Sequence, residues 1–166
     1  MSAPPDLLDT PIDLDRYAWP TAELDPVTRM RALAAGLPHV AASETIFEAE
    51  FDRVWELVAD FERYTARVEA AVREARIVER EGDRLILDVR GPLPAIPAWQ
   101  RFDVVLRPGW CLMSSRLGDV GMAACPEGPG RTRYFHFEGS SLLGRLVKPL
   151  FAWNIGQDFR KMRRLL

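Results

Sequence analysis

The side chains best suited to chemistry lie in a strand-like stretch near the C-terminus, residues 132–138. Successive side chains of a strand point to opposite faces, so Tyr134, His136 and Glu138 share one face. Turned inward, they would bring a phenol, a titratable imidazole and a carboxylate to the wall of a cavity, where they could move protons. The other face carries Phe135 and Phe137. Alternation favours an inward direction for these two rings. Tyr134, His136 and Glu138 would then form an ordinary solvent-exposed face.

Asp158 is a carboxylate inside an apolar stripe. The segment 140–166 repeats large apolar side chains at steps of three and four, and Asp158 lies between Ile155 and Met162 on that stripe. A carboxylate there is costly unless it is paired or hydrogen-bonded. It either lies at the stripe edge, where it reaches water or pairs with Arg131 or Arg133, or anchors a ligand hydroxyl or amine with a raised pKa. The pattern favours the stripe edge.

The remaining candidates point to no known catalytic motif, metal site or cofactor. His39 follows Pro38 and has no carboxylate or cysteine at ligand spacing. The sequence lacks a Gly-rich phosphate loop, a nucleophile elbow and paired catalytic carboxylates. Cys111 and Cys125 each lie in an apolar, strand-like run, which favours two buried free thiols over a disulfide.

Composition limits the class of protein. A chain of 166 residues suits one domain with a full core. The net charge of -2 gives no reason to expect nucleic acid as a partner. The first residues, MSAPPDLLDTP, lack the basic and apolar regions of a signal peptide. No apolar run approaches the roughly 20 residues of a transmembrane segment. We therefore expect a cytoplasmic protein.

Hydrophobic periodicity predicts an α+β protein. A long helix at 142–166 follows an antiparallel sheet, and a helix laid across such a sheet tends to leave a cavity between them. Earlier helices are predicted at 21–35 and 50–64. In the third strand, Leu85, Leu87 and Val89 form the buried face, with Ile86 outside. The predicted strands are 43–48, 72–80, 84–90, 100–107, 110–115, 120–125 and 132–138.

The order of elements and one local run resemble the START/SRPBCC superfamily. The run is ETIFEAEFDRVWELVADFERY, in which Val54, Trp55 and the segment 60–64 match the family's opening strand and helix. The proline that members often carry at this helix start is Glu50 or Phe51 here. The resemblance covers 43–166 and implies a helix-grip fold, a seven-stranded antiparallel sheet wrapped around a long C-terminal helix. Residues 1–42 would be an N-terminal arm and helical extension, and 43–166 the ligand-binding domain.

The resemblance is specific for fold and open for function, since the superfamily includes lipid carriers, polyketide cyclases, hormone receptors and oxygenase domains. The leading hypothesis is a non-catalytic protein that binds a small hydrophobic ligand, such as a lipid, polyketide or isoprenoid. The alternatives are a polyketide cyclase/dehydrase that moves protons with His136 and Asp158, and a partner-binding domain with a collapsed cavity. Trp153 and Asn154 are expected near the cavity mouth. The predicted ligand-binding residues are Leu87, Val89, Phe102, Val104, Leu106, His136, Leu146, Leu150, Ile155 and Asp158.

The charge of the two chain ends is opposite. Residues 1–50 hold nine acidic and three basic residues, whereas 131–166 hold two acidic and eight basic ones. Apolar side chains such as Leu14, Tyr17 and Trp19 lie among the acids. We therefore expect the N-terminal arm to pack on its own domain or on that of a second copy in a homodimer, rather than to form a solvated tail.

Overall fold

Seven strands form one antiparallel sheet in the order β1-β7-β6-β5-β4-β3-β2. This computed structural model describes residues 23–69, 71–91, 99–141 and 144–166. The sheet and its long C-terminal helix confirm the predicted α+β class. The strands are β1 Val40–Phe47, β2 Glu74–Glu81, β3 Arg84–Arg90, β4 Gln100–Arg107, β5 Trp110–Ser114, β6 Asp119–Pro126 and β7 Thr132–Gly139.

The helices differ from the predicted ones at their ends. The helices are α1 Pro26–Ala35, α2 Phe51–Ala59, α3 Phe61–Val68 and α4 Lys148–Leu165, with a 3₁₀ turn at Gly144–Val147 before α4. One helix predicted at 50–64 is two, because Asp60 leaves helical geometry and accepts a hydrogen bond from the Arg63 amide, 3.1 Å away. The C-terminal α-helix begins at Lys148 and not at 142. A 3₁₀ turn has a different period, so the apolar stripe cannot be extended through it.

The inner face of the sheet, which faces α2, α3 and α4, holds the larger core. Helix α4 packs on β1 and β7, while α3 packs on β2 at the opposite edge. Ile155, Phe159 and Met162 of α4 are buried in this core. The Phe159 ring centroid lies 6.1 Å from that of Phe47 and 5.7 Å from that of Tyr134. These contacts fix the C-terminal half of α4 to one edge of the sheet.

The outer face carries α1, so that β7 is covered on both sides. Val27, Met30 and Ala34 of α1 pack against Phe135 and Phe137. Gly121 of β6 lies under Phe137, where an added Cβ would come within 2.1 Å of the ring. Helix α1 packs mainly on β6 and β7, with a smaller contact on β5.

Asp25 joins the start of α1 to the sheet. Its side chain accepts from the Thr28 amide at 2.9 Å and forms an ion pair with Arg133 at 3.1 Å. Burial alone would raise the pKa of Asp25, but the Thr28 hydrogen bonds and the Arg133 charge outweigh it and lower the pKa to about 2. The predicted start of this helix at residue 21 and the N-terminal arm lie outside the described residues, so docking of the arm stays a prediction.

We predict that Ile155→Asp lowers the free energy of unfolding by about 4 kcal/mol, because it places a charge in a fully buried apolar site. Leu146→Asp is the matched control, since Leu146 is 90% exposed and should tolerate the charge. Chemical denaturation of both variants measures the difference. Equal stability of the two variants would show that α4 does not pack on the sheet in this register.

We also predict that Asp25→Ala lowers the free energy of unfolding by about 1–2 kcal/mol, as expected for loss of an N-cap. Glu23→Ala, at an exposed neighbouring position, should have no effect. Because the folded-state pKa is lowered, the stabilisation is present above the unfolded value of 3.8 and is lost as pH falls toward 2. Denaturation at pH 7 and pH 3 should therefore give a smaller difference at pH 3, and a constant difference would contradict the role of the carboxylate.

Candidate functional site

A cavity of about 770 Å³ lies between the sheet and the helices of its inner face. The N-terminal half of α4 forms one wall, and α2 and α3 form another. The cavity is therefore open, and the collapsed-cavity alternative does not apply. Its apolar lining includes Leu57, Val58 and Phe61 from the helices, Val89, Phe102, Met113 and Met122 from the sheet, and Leu150, Phe151 and Trp153 from α4.

The predicted apolar wall is present in part. Val89, Phe102 and Leu150 line the cavity. Trp153 and Asn154, expected near its mouth, line it as well. Four further side chains of the predicted wall are buried in the inner-face core without lining the cavity: Leu87, Val104, Leu106 and Ile155.

Leu146 was placed wrongly. It is 90% exposed and does not line the cavity. It belongs to the 3₁₀ turn before α4, so its direction differs from the one that an α-helical stripe predicts.

Sequence reasoning missed the contribution of α2 and α3. Leu57, Val58, Phe61 and Val68 line the cavity, and Glu69 follows them at the end of α3. The sequence does carry a signal, because Val58 and Phe61 share an apolar helical face. This signal alone did not predict a cavity wall, because a pattern of apolar residues cannot separate a cavity wall from a packed core.

The polar side chains of β7 point inward, which corrects the solvent face favoured by alternation. Tyr134, His136 and Glu138 are buried on the inner face, and Phe135 and Phe137 are buried under α1 on the outer face. Alternation could not decide between the two faces because both are covered. Tyr134 and Glu138 reach the cavity, whereas His136 lies behind the lining.

Four groups from three parts of the chain meet at this polar end. One ligand atom from each of Glu69, His136, Glu138 and Asp158 lies within 4.8 Å of the others. The Nε2 atom of His136 lies 3.4 Å from Oε1 of Glu138. Part of Glu69 stays accessible, but its carboxyl group points into the cluster and shares hydrogen bonds with Asp158 and Glu138. We call these four residues the acidic cluster.

Asp158 does not lie at an exposed edge of the stripe. It is 1% exposed and faces the acidic cluster. Arg131 pairs instead with Glu48 at 3.4 Å, and Arg133 pairs with Asp25 and Glu127. The favoured interpretation of Asp158 was therefore wrong. Asp158 does not itself line the cavity, so the other interpretation, an anchor for a ligand hydroxyl or amine, stays a prediction.

Burial changes the protonation of the acidic cluster. Burial and then the Asp158 charge raise the pKa of Glu138 to about 8, although a hydrogen bond with Glu69 opposes them. Burial, with the charges of Asp158 and Glu138, holds the pKa of Glu69 well above its usual range. Burial lowers the pKa of His136 to about 3. At neutral pH the imidazole of His136 is thus neutral and a weak base, whereas Glu138 is mostly protonated and can donate a proton.

The other candidates lie away from the cavity. His39 Nε2 is 3.0 Å from Asp119 Oδ2, a partner that tertiary structure provides and sequence spacing did not show. Cys111 and Cys125 are buried free thiols, as predicted. Burial raises the pKa of the Cys111 thiol, which makes it a poor nucleophile. In the described part of the chain, no helix is long and apolar enough to cross a membrane.

Comparison with known proteins gives the fold. No protein-family model and no curated protein matches the sequence. Among solved structures, protein TTHA0849 from Thermus thermophilus has a TM-score of 0.60 and 17% identity over 76% of this chain and 95% of its own. A START superfamily protein from Mycobacterium smegmatis has a TM-score of 0.57 and 16% identity, with the same two coverages.

A polyketide enzyme is also similar. The Zhui aromatase/cyclase from a Streptomyces species has a TM-score of 0.56 and 11% identity over 76% of this chain and 89% of its own. At sequence identities this low, the similarity shows the fold alone. Together with the seven-stranded sheet and α4, they show that this chain has the helix-grip fold of the START/SRPBCC superfamily.

Proposed function

We propose that this protein binds a small hydrophobic molecule, such as a lipid, a polyketide or an isoprenoid, in the cavity between the sheet and α4. The observation that carries the proposal is the cavity itself. Its volume of about 770 Å³ lies within the range of about 300–1,000 Å³ typical of small-molecule sites. Its wall is mostly apolar, so transfer of an apolar ligand from water is favourable.

The polar end indicates what kind of apolar molecule fits. Tyr134, Glu138 and Asn154 line one part of an otherwise apolar wall. A few polar groups in an apolar pocket orient a ligand and select it. The best-matched ligand is therefore a mostly apolar molecule with a hydroxyl, keto or amine group at one end.

We predict that Phe102→Trp weakens binding of the neutral fluorescent probe 1-N-phenylnaphthylamine by about tenfold or more, because the larger ring occupies the cavity that the probe needs. Val105→Trp is the matched control, since Val105 lies on the other face of the same strand. Fluorescence titration measures both affinities. If the two variants bind the probe equally well, the probe site lies elsewhere.

A second candidate function is that of a polyketide cyclase/dehydrase, and the acidic cluster beside the cavity favours it. Such an enzyme needs an enclosed site that holds a reactive chain and one or two groups that transfer protons. His136 and Asp158 are the candidate pair. Both are buried next to Glu138, which lines the cavity.

We predict for this second function that the protein accelerates cyclisation of a synthetic poly-β-keto thioester, and that Asp158→Asn lowers the rate by about 100-fold, as for loss of a general acid or base. His39→Asn serves as the control, because His39 lies outside the cavity. Product formation is followed by liquid chromatography. A rate equal to that in buffer would remove the enzyme hypothesis and leave the binding proposal intact.

A further inference from the structure

The acidic cluster has the composition of a metal-binding site. Glu69 follows α3, His136 and Glu138 belong to β7, and Asp158 belongs to α4. Tertiary structure thus brings three carboxylates and one imidazole from three elements within 4.8 Å. Carboxylate oxygen and imidazole nitrogen are ligands of divalent transition metals, whereas Cu(I) prefers sulfur and Ca²⁺ prefers oxygen alone.

The imidazole of His136 is buried beside the carboxylates. Its side chain is 1% exposed, and within the described ranges its Nε2 atom has no hydrogen-bond partner. A buried ring nitrogen without a hydrogen bond is costly, so such an atom calls for an explanation. The Nε2 atom lies 3.4 Å from Oε1 of Glu138, so a metal ion bound by the carboxylates would be within its reach.

The charges of the surroundings also suit a cation. No arginine or lysine in the described segments forms an ion pair with Glu69 or Glu138. Buried carboxylates are ordinarily paired with a cation or bound to a metal. A divalent ion would neutralise the charge that Glu69 and Glu138 carry once they lose their protons.

The dimensions of the acidic cluster fit a metal ion after a small contraction. Oxygen and nitrogen ligands bind Zn²⁺ tetrahedrally at about 2.0–2.2 Å, so two donor atoms are about 3.4 Å apart. The donor atoms here span up to 4.8 Å. Each donor atom of the widest pair therefore has to move inward by about 0.7 Å when the ion binds.

We propose that Glu69, His136, Glu138 and Asp158 bind one divalent transition-metal ion, Zn²⁺ or Mn²⁺ in type, at the polar end of the cavity. Because Glu69 and Glu138 also line the cavity, an open coordination position faces the space in which an apolar ligand lies. The metal site does not depend on the proposed ligand, and it can be tested without one.

The test is calorimetric titration of the purified full chain, freed of metal with a chelator, with Zn²⁺ and with Mn²⁺ separately. We expect one ion per chain. Glu138→Gln and Asp158→Asn preserve side-chain shape and should each weaken binding by at least about 100-fold, since loss of a residue that only supports a ligand already costs about 10–100-fold. The metal should also raise the melting temperature of the parent protein but not that of the variants.

His39→Asn is the matched control, because His39 is the only other histidine and has Asp119 beside it. It should bind metal as the parent does. If one variant fails to fold without metal, as judged by circular dichroism, the other still decides the question. The proposal is overturned if the parent binds neither ion, if the folded cluster variants bind as tightly as the parent, or if His39→Asn abolishes binding. Absence of binding to the parent would mean that Glu69 and Glu138 are stabilised by protons and hydrogen bonds rather than by a metal.

Discussion

The packing of α4 on one edge of the sheet determines the rest of the architecture. Ile155, Phe159 and Met162 hold the C-terminal half of the helix against β1 and β7. Helix α3 packs at the opposite edge, on β2, so the middle strands are not covered by either contact. The space above them is the cavity. The C-terminal half of α4 thereby stabilises the fold through apolar burial, while its N-terminal half borders the cavity.

The same contact creates the acidic cluster. Asp158 lies on the face of α4 that packs inward, so docking of the helix carries a carboxylate to His136 and Glu138. Burial then opposes charge on His136 and Glu138. The proposed ligand binding, proton transfer and metal binding all depend on the position of Asp158 in α4.

The sequence predicted the architecture well and the site only in part. Strand periodicity and the stripe of α4 are local signals, and they gave the correct strand number and the inward faces of Val89 and Phe102. The inward direction of His136 depends on α1 covering the other face, which alternation cannot reveal. Glu69 belongs to the acidic cluster because the C-terminal end of α3 lies close to β7 in the folded protein. The spacing of residues along the chain does not predict this contact. The prediction that Leu146 lines the cavity was wrong because Leu146 lies in a 3₁₀ turn, where side chains do not continue the direction of the α-helical stripe.

Methyl NMR of the methionine side chains tests the central claim, that the cavity is a ligand site, most directly. Met113 and Met122 line the cavity, whereas Met30 belongs to α1 and packs on the other face of the sheet. On addition of 1-N-phenylnaphthylamine, the account predicts large shifts of the Met113 and Met122 methyl signals and an unchanged Met30 signal. Shifts confined to Met30, or saturable probe binding that leaves Met113 and Met122 unchanged, would contradict it.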